Sequence, residues 1–299
     1  MSESSSPSTK ILDHIVHLAP PGALEETKRS FTELGFKVVP GGVHKDGLTA
    51  NALVVLGDSS YLELLIFTKP VSAYPPSSPE RAARECHPWA PKSPGWIDFA
   101  FLGTGVDADS DPSRRISNII NTRARQDGSL TEYLPEVAGG RERPDGKVLE
   151  WVISSPHEKH GRGTLPFFCG DVTPRDRRVP YSPPSNSEHP NGAKGVAHLL
   201  LLSVPERFNE VQRQLTSVVG RAPIQASNDK AVWALESPLD IPGTEATLVL
   251  RPAEGDLELA FASASQLAGV YEIAFWVPKG RERKVLKTPY GQVVLQPLE

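Results

Sequence analysis

The chain has 299 residues, of which 38% are hydrophobic and 23% charged, so it can bury a sizeable core and is not expected to be disordered as a whole. Its formal net charge of -4 argues against a nucleic-acid partner, because such proteins usually gather a basic excess on one face. No apolar run reaches the roughly 20 residues that cross a bilayer, and the first residues lack the basic and apolar parts of a secretory signal. The two cysteines show no metal-site or disulfide spacing. We therefore expect a cytoplasmic protein with no membrane association.

The first seventy residues predict one strand, one helix and three further strands. A polar tail at 1–10, expected to be disordered, precedes a strand at 11–18. The helix is predicted over 22–34, because its apolar side chains fall on one stripe, and Gly35 stands where a C-terminal cap belongs. The three further strands are predicted at 36–39, 51–56 and 61–67.

A second unit with the same order follows a Pro-rich connection over 74–94, in which one short helix is predicted at 79–86. Its predicted elements are a strand at 96–102, a helix over 112–125 and strands at 147–153 and 165–170. The polar segment 171–192 contains three arginines and predicts a linker or an ordered strap. Arginines in such a segment are more often solvated or ion-paired than part of a ligand clamp.

The last third of the chain repeats the first at a constant interval. His198 follows His14 by 184 residues, and Pro205 follows Pro21 by the same distance. Four positions of the helix stripe share this interval. Amphipathic patterning could reproduce the helix alone, but it would not be expected to keep the strand histidine in register. Strands are predicted here at 196–203, 231–236, 247–250, 269–277 and 292–296.

Several short motifs lie along the first two thirds of the chain: Leu-Asp-His-Ile-Val at 12–16, Leu-Gly-Phe at 34–36, Pro-Gly-Gly-Val-His at 40–44, Asn-Ala-Leu at 51–53, Gly-Asp at 57–58, Tyr-Leu-Glu-Leu at 61–64, Leu-Pro-Phe-Phe at 165–168 and His-Pro-Asn-Gly-Ala at 189–193. In these motifs the chain resembles the glyoxalase-like domain family of the vicinal-oxygen-chelate superfamily. The resemblance implies an α+β fold in which repeated βαβββ modules form cupped, mostly antiparallel sheets. We expect modules at 11–70 and 95–172 within a domain over 11–185, and a third module at 193–299 packed on them.

The resemblance also implies a divalent metal, held by a histidine on the first strand of a module and a carboxylate on its last strand. These positions are His14 and Glu63, and the repeat adds His198 as a further ligand. Mixed imidazole and carboxylate ligands suit Zn, Fe, Mn, Ni or Co. A glutamate inside Tyr-Leu-Glu-Leu-Leu-Ile-Phe is unusual unless it is paired or bound to a metal. The alternative is a carboxylate that is satisfied by a nearby arginine or lies on an open sheet face.

Further candidates lie near these ligands. His44, in a Gly-rich loop that could fold over the pocket, joins Glu63 as a catalytic candidate. Asn51 and Asp171 are candidates for substrate binding. The second module carries Asp98 where the family histidine would fall, so the fourth metal ligand stays open. The candidates for it are Asp171, Glu258 and Glu272, the last two expected in apolar strands.

Two functions of different classes follow. The first is a metal-dependent lyase, isomerase or oxygenase that acts on a small oxygen-rich organic molecule. The alternative is a metal-free protein of the same fold that binds a small molecule or uses acid–base groups alone. A third interpretation makes the last module the interface of a homodimer.

Overall fold

The computed structural model describes residues 7–107, 109, 111–143 and 145–299. The first six residues of the tail predicted at 1–10 therefore lie outside the described residues. Within the described ranges, the first sheet contains β1 (Leu12–Ala19), β2 (Val39–Val43), β3 (Thr49–Val55), β4 (Tyr61–Phe67), β5 (Gly95–Leu102), β6 (Val137–Glu142), β7 (Val148–Ser154) and β8 (Phe167–Asp171). The second sheet contains β9 (Val196–Ser203), β10 (Gln225–Ala226), β11 (Ala231–Ala234), β12 (Thr247–Pro252), β13 (Ala268–Val277), β14 (Lys284–Thr288) and β15 (Gly291–Pro297). The α-helices are α1 (Leu24–Glu33), α2 (Pro79–Glu85), α3 (Ile116–Asp127), α4 (Arg175–Arg178), α5 (Phe208–Val219) and α6 (Gly255–Ala264).

The first sheet is built from two modules joined through their first strands. Its strand order is β2-β3-β4-β1-β5-β8-β7-β6. In each module the first strand runs parallel to the last, and β1 pairs with β5 in antiparallel orientation. The eight strands curve around one concave face, and the candidate site lies on this face.

The second sheet repeats this plan in a shortened form. Its order is β10-β11-β12-β9-β13-β15-β14, with β12 parallel to β9 and β13 antiparallel to it. The last hundred residues thus contain one complete βαβββ module and a further set of three strands. In the described chain, no α-helix lies between β13 and β14, where the other modules have one.

One hydrophobic core joins the two sheets. Phe31 of α1, Ile120 of α3 and Leu215 of α5 are fully buried in it, together with apolar side chains from one face of each sheet. The glycine cap predicted at Gly35 is confirmed, because this residue follows α1 with φ of +81°. Gly220 follows α5 in the same way, with φ of +74°. Burial of the helix stripes between the sheets leaves the opposite face of the first sheet free to form a site.

The α+β fold of cupped βαβββ modules predicted above is confirmed. The predicted limits of β4 and β9 coincide with those in the structure. The strand predicted at 36–39 lies at Val39–Val43, and β6, β10, β14, α4 and α6 were not predicted. The prediction of a strand around Glu258 was wrong. The alternation of Leu257, Leu259 and Phe261 imitates a half-buried strand, but Leu257 is 86% exposed on a helix.

Candidate active site

A cavity of about 440 Å³ opens on the concave face of the first sheet. This volume lies within the range of small-molecule sites. Both modules line it, and the segment that follows β8 (residues 172–192, here called the strap) supplies one further side chain. Its aromatic walls are Tyr61, Trp89, Trp151 and Phe167. Its polar lining includes His14, His44, Asn51, Glu63, Arg141 and Arg178.

The two histidines of β1 face opposite sides, as their spacing predicts. His14 lines the cavity, where its ring stacks on Tyr61 at a centroid distance of 4.6 Å. His17 is buried on the core side, against Phe31 and Trp96. The protein therefore offers one β1 imidazole to a ligand.

Asp13 orients the His14 ring. Its Oδ2 lies 2.6 Å from His14 Nδ1, and because a carboxylate only accepts, Nδ1 carries the proton and donates. Burial of Asp13 opposes its ionisation, but the guanidinium groups of Arg178 and Arg175 hold its pKa well below the usual value. Their nitrogens lie 2.8 and 2.6 Å from the carboxylate oxygens. In the neutral ring that this bond orients, Nε2 is the nitrogen that carries the lone pair.

A local irregularity explains how neighbouring strand residues can share one side. Successive side chains of a strand normally point to opposite faces. The pairing of β1 with β5 slips between Leu12 and His14, and Asp13 lies in this slip. The strap supplies Arg175 and Arg178, so the Asp13–His14 pair depends on both a β-bulge and a distant segment.

Glu63 faces His14 across the cavity floor. His14 Nε2 and Glu63 Oε2 are 3.7 Å apart, too far for a hydrogen bond. Among the described residues, neither of these two atoms has a hydrogen-bond partner. A ligand atom can therefore contact both.

Asn51 fixes the other oxygen of Glu63. The backbone N–H of Gly42 and Arg141 Nη1 both donate to Asn51 Oδ1, which fixes the orientation of the amide. Its Nδ2 then donates to Glu63 Oε1 at 2.6 Å and to His44 Nε2 at 3.3 Å. Both the oxygen and the nitrogen of the Asn51 side-chain amide are therefore bonded to protein groups.

His44 is neutral at physiological pH and already bonded at both nitrogens. Its Nδ1 lies 2.6 Å from the Thr49 hydroxyl, and its Nε2 accepts from Asn51. Burial lowers its pKa, and the nearby Glu63 only partly opposes this. The three residues His44, Asn51 and Glu63 therefore form one network beside the Asp13–His14 pair.

The donor set does not fit a metal held by three or more protein side chains. In the part of the chain that the structure describes, no three His, Cys, Asp or Glu side chains are placed to hold a metal ion. Among His14, His44 and Glu63, the Asn51 amide occupies His44 Nε2 and Glu63 Oε1, which leaves His14 Nε2 and Glu63 Oε2 as the two ligand atoms that no protein group occupies. Protein zinc sites normally use three or four protein ligands.

The structure brings four of the predicted site residues together and separates two. His14, His44, Asn51 and Glu63 line one cavity. The ligand set of His14, Glu63 and His198 is not assembled, because His198 lies on the second sheet and contacts Glu272 at 2.9 Å. Asp171 does not line the cavity, because Arg175 and Arg178 hold its carboxylate.

The other predicted carboxylates are also paired elsewhere. Asp98 is fully buried and bound by Arg162 at 2.8 Å and by the Trp89 indole at 2.7 Å. Glu258 pairs with Arg251 on the second sheet. Each candidate for a fourth metal ligand is therefore bound by a protein side chain and does not itself line the cavity.

Sequence reasoning missed Asp13, Arg141 and the inward position of Arg178. Asp13 carried a signal, since a charged residue inside an apolar strand needs a partner. Arg141 lies on β6, and the Gly-Gly pair before it obscured that strand.

The fold and site define a cupped βαβββ protein of the vicinal-oxygen-chelate type with a ligand cavity in its first pair of modules. The sequence model of the glyoxalase-like domain matches residues 12–219. The chain therefore belongs to the glyoxalase-like domain family of this superfamily. No curated protein matches the sequence.

Solved structures share the fold at low sequence identity. A hypothetical protein from Staphylococcus aureus is 11% identical with a TM-score of 0.64, covering 96% of this chain and 99% of that one. A variant of 4-hydroxymandelate synthase from Streptomyces coelicolor is 13% identical with a TM-score of 0.51, covering 91% and 72%. In the described residues, no helix is long and apolar enough to cross a membrane.

Proposed function

We propose that this protein is an enzyme that binds a small oxygen-rich organic molecule in the cavity and transfers a proton on it, with His14 as the base. The observation that carries the proposal is the Asp13–His14 pair, whose free Nε2 faces Glu63 Oε2 at 3.7 Å inside a cavity of about 440 Å³. A carboxylate behind an imidazole fixes its tautomer and stabilises the imidazolium that forms when it takes a proton.

The reaction class is proton transfer at a carbon next to a carbonyl, as in isomerases and some lyases. His14 Nε2 takes the proton, and the electron pair of the C–H bond enters the enolate. The imidazolium then returns a proton to another position of the same molecule, so no proton is gained or lost overall. In deuterated water, exchange of the imidazolium N–H with solvent before this step introduces deuterium. Glu63 Oε2 accepts a hydrogen bond from a neighbouring hydroxyl of the substrate and orients it.

A metal-dependent enzyme and a metal-free binding protein are the alternatives. The donor set weighs against the first, because two of the nearby ligand atoms already accept from Asn51. A metal-free binding protein would need the cavity, but binding alone would not require a buried aspartate that orients His14. Turnover therefore separates the proposal from a binding role.

The test is hydrogen exchange in deuterated water, followed by NMR with hydroxyacetone, pyruvate and 2-oxobutanoate. We expect the protein to accelerate exchange of a carbon-bound proton in at least one of them. His14→Gln should lower that rate by about 10²- to 10⁴-fold, the usual contribution of a positioned base. Glu63→Gln should lower it less, because Glu63 orients the substrate.

The matched control is His198→Gln, which changes the repeat histidine outside the cavity and should leave the rate unchanged. Equal rates for His14→Gln and the unaltered protein would contradict the proposal. Binding of all three compounds without any accelerated exchange would favour the binding protein instead.

A further inference from the structure

We infer that the molecule bound in the cavity carries a carboxylate, and that Arg141 binds this group. The carboxylate site rests on the proposed function, since it defines the class of molecule on which His14 acts. Arg141 lies on β6, its side chain lines the cavity, and it is only 5% exposed.

Three arginines line the cavity, and only one of them lacks an aspartate partner among the described residues. Arg162 pairs with Asp98 at 2.8 Å, and Arg178 pairs with Asp13 at 2.8 Å and also with Asp171. Arg141 makes no such pair. A buried charge without a counter-ion is costly, so an arginine kept in this position is suited to an anion that arrives with the ligand.

The protein contacts of Arg141 leave donors free. Its Nη1 donates to Asn51 Oδ1 at 3.2 Å, and its Nη2 donates to the Arg178 carbonyl at 3.3 Å. Both acceptors are uncharged. A guanidinium has five N–H groups in a planar fork that matches a carboxylate, and three of those on Arg141 have no hydrogen-bond partner among the described residues.

The wall beside Arg141 leaves room for the body of such a molecule. The preceding residues of β6, Ala138, Gly139 and Gly140, line the cavity with almost no side chain. Trp151 lies across Gly139 so closely that a Cβ there would clash with the indole nitrogen. An apolar or aromatic ring can therefore lie against Trp151 while its carboxylate contacts Arg141.

Arg141 also connects the carboxylate site to the reacting groups. Asn51 accepts from Arg141 and donates to Glu63 Oε1 at 2.6 Å. A ligand carboxylate bound to Arg141 would thus be separated from the Glu63 carboxylate by the Asn51 side chain alone. This arrangement would place the atoms next to the carboxylate near His14 Nε2.

Benzoate and its uncharged analogue benzamide test the inference by isothermal titration calorimetry. We expect the unaltered protein to bind benzoate at least about tenfold more tightly than benzamide, the lower end of what a charge-assisted hydrogen bond contributes. Arg141→Gln should remove that preference, and Arg141→Lys should keep part of it. Arg143→Gln is the matched control, because Arg143 pairs with Asp145 outside the cavity.

Equal affinity for benzoate and benzamide, or an unchanged preference in a folded Arg141→Gln protein, would overturn the inference. Should Arg141→Gln fail to fold, the comparison of the two probes on the unaltered protein still decides it. Benzoate has no carbon-bound proton next to its carboxylate, so its binding does not depend on proton transfer by His14. Benzoate binding without proton exchange would therefore leave the carboxylate site standing and remove the proposed chemistry alone.

Discussion

The two sheets carry the same strand histidine in different surroundings. His14 pairs with Tyr61 on the parallel strand β4, and His198, 184 residues later, pairs with Thr247 on β12. Asp13 stands behind His14, whereas the same position of the repeat is Ala197. The backbone register is thus preserved while the partner of the imidazole is not.

The carboxylates beside the two histidines also differ between the sheets. Val16 on β1 pairs with Glu63 on one side, and its counterpart Leu200 pairs with Val249. On the other side, Asp98 and Glu272 occupy equivalent registers, and Glu272 binds His198 directly. The repeat thus maintains the fold, while the chemistry depends on a few side chains and on the strap, whose arginines bind Asp13 of the first sheet.

The largest expected effect comes from Asp13→Ala, which gives the first sheet the residue of the second. It leaves the buried guanidinium groups of Arg175 and Arg178 without one of their two carboxylates and should destabilise the protein by about 3 kcal/mol. It should also lower proton exchange by at least about 10²-fold, because His14 loses its orienting acceptor. Urea unfolding and the exchange assay measure the two effects.

Asp13→Asn is the matched control, because it keeps the shape, removes the charge and replaces one acceptor oxygen by an amide donor. If packing of the side chain contributes to the free energy of unfolding, Asp13→Asn should be less destabilised than Asp13→Ala. If the ion pairs dominate, the two variants should be destabilised equally. A folding free energy for Asp13→Ala within about 0.5 kcal/mol of the unaltered protein, the range of an ordinary surface substitution, would contradict the proposed role of the pair.

A smaller effect of opposite sign is expected for His17→Leu, which introduces the repeat residue Leu201. His17 is fully buried, and among the described residues neither ring nitrogen has a hydrogen-bond partner. Removing these unpaired polar atoms should stabilise the protein by about 1 kcal/mol at pH 7. Because His17 lies on the core side of β1, proton exchange in the cavity should not change.

The gain should grow as the pH falls. Burial lowers the pKa of His17 from 6.5 to about 3, so the unfolded chain binds a proton first. The unaltered protein therefore loses stability below about pH 6.5, by up to about 1.4 kcal/mol per pH unit from this group. His17→Leu removes that loss, whereas the other buried histidines affect both proteins alike. Parallel stability curves from pH 7 to pH 5 would disprove this account of His17.

The sequence predicted most of the fold and the centre of the first module's site. His14, Glu63, His44 and Asn51 lie within fifty residues of one another, and strand alternation determines which of them share a face. The sequence pattern of the first module was therefore enough to predict that these four side chains lie near one another.

The rest depends on long-range contacts. A β-bulge turns Asp13 toward His14, and a periodicity of two gives no sign of it. Arg178 reaches Asp13 across 165 residues of chain, and Arg141 reaches Asn51 across 90. The repeat predicted His198 as a ligand because it preserves the register of the backbone, whereas the side chains around His198 differ from those around His14.

Metal content and activity together test the central claim, that the first-sheet site works through His14 without a protein-held metal. Plasma mass spectrometry would be applied to the untagged protein and to His14→Ala, followed by the exchange assay before and after chelation. We predict metal far below one ion per chain in both proteins and an exchange rate that chelation does not change. Near-stoichiometric metal that disappears in His14→Ala, with activity that is lost on chelation and restored by a divalent ion, would contradict the account.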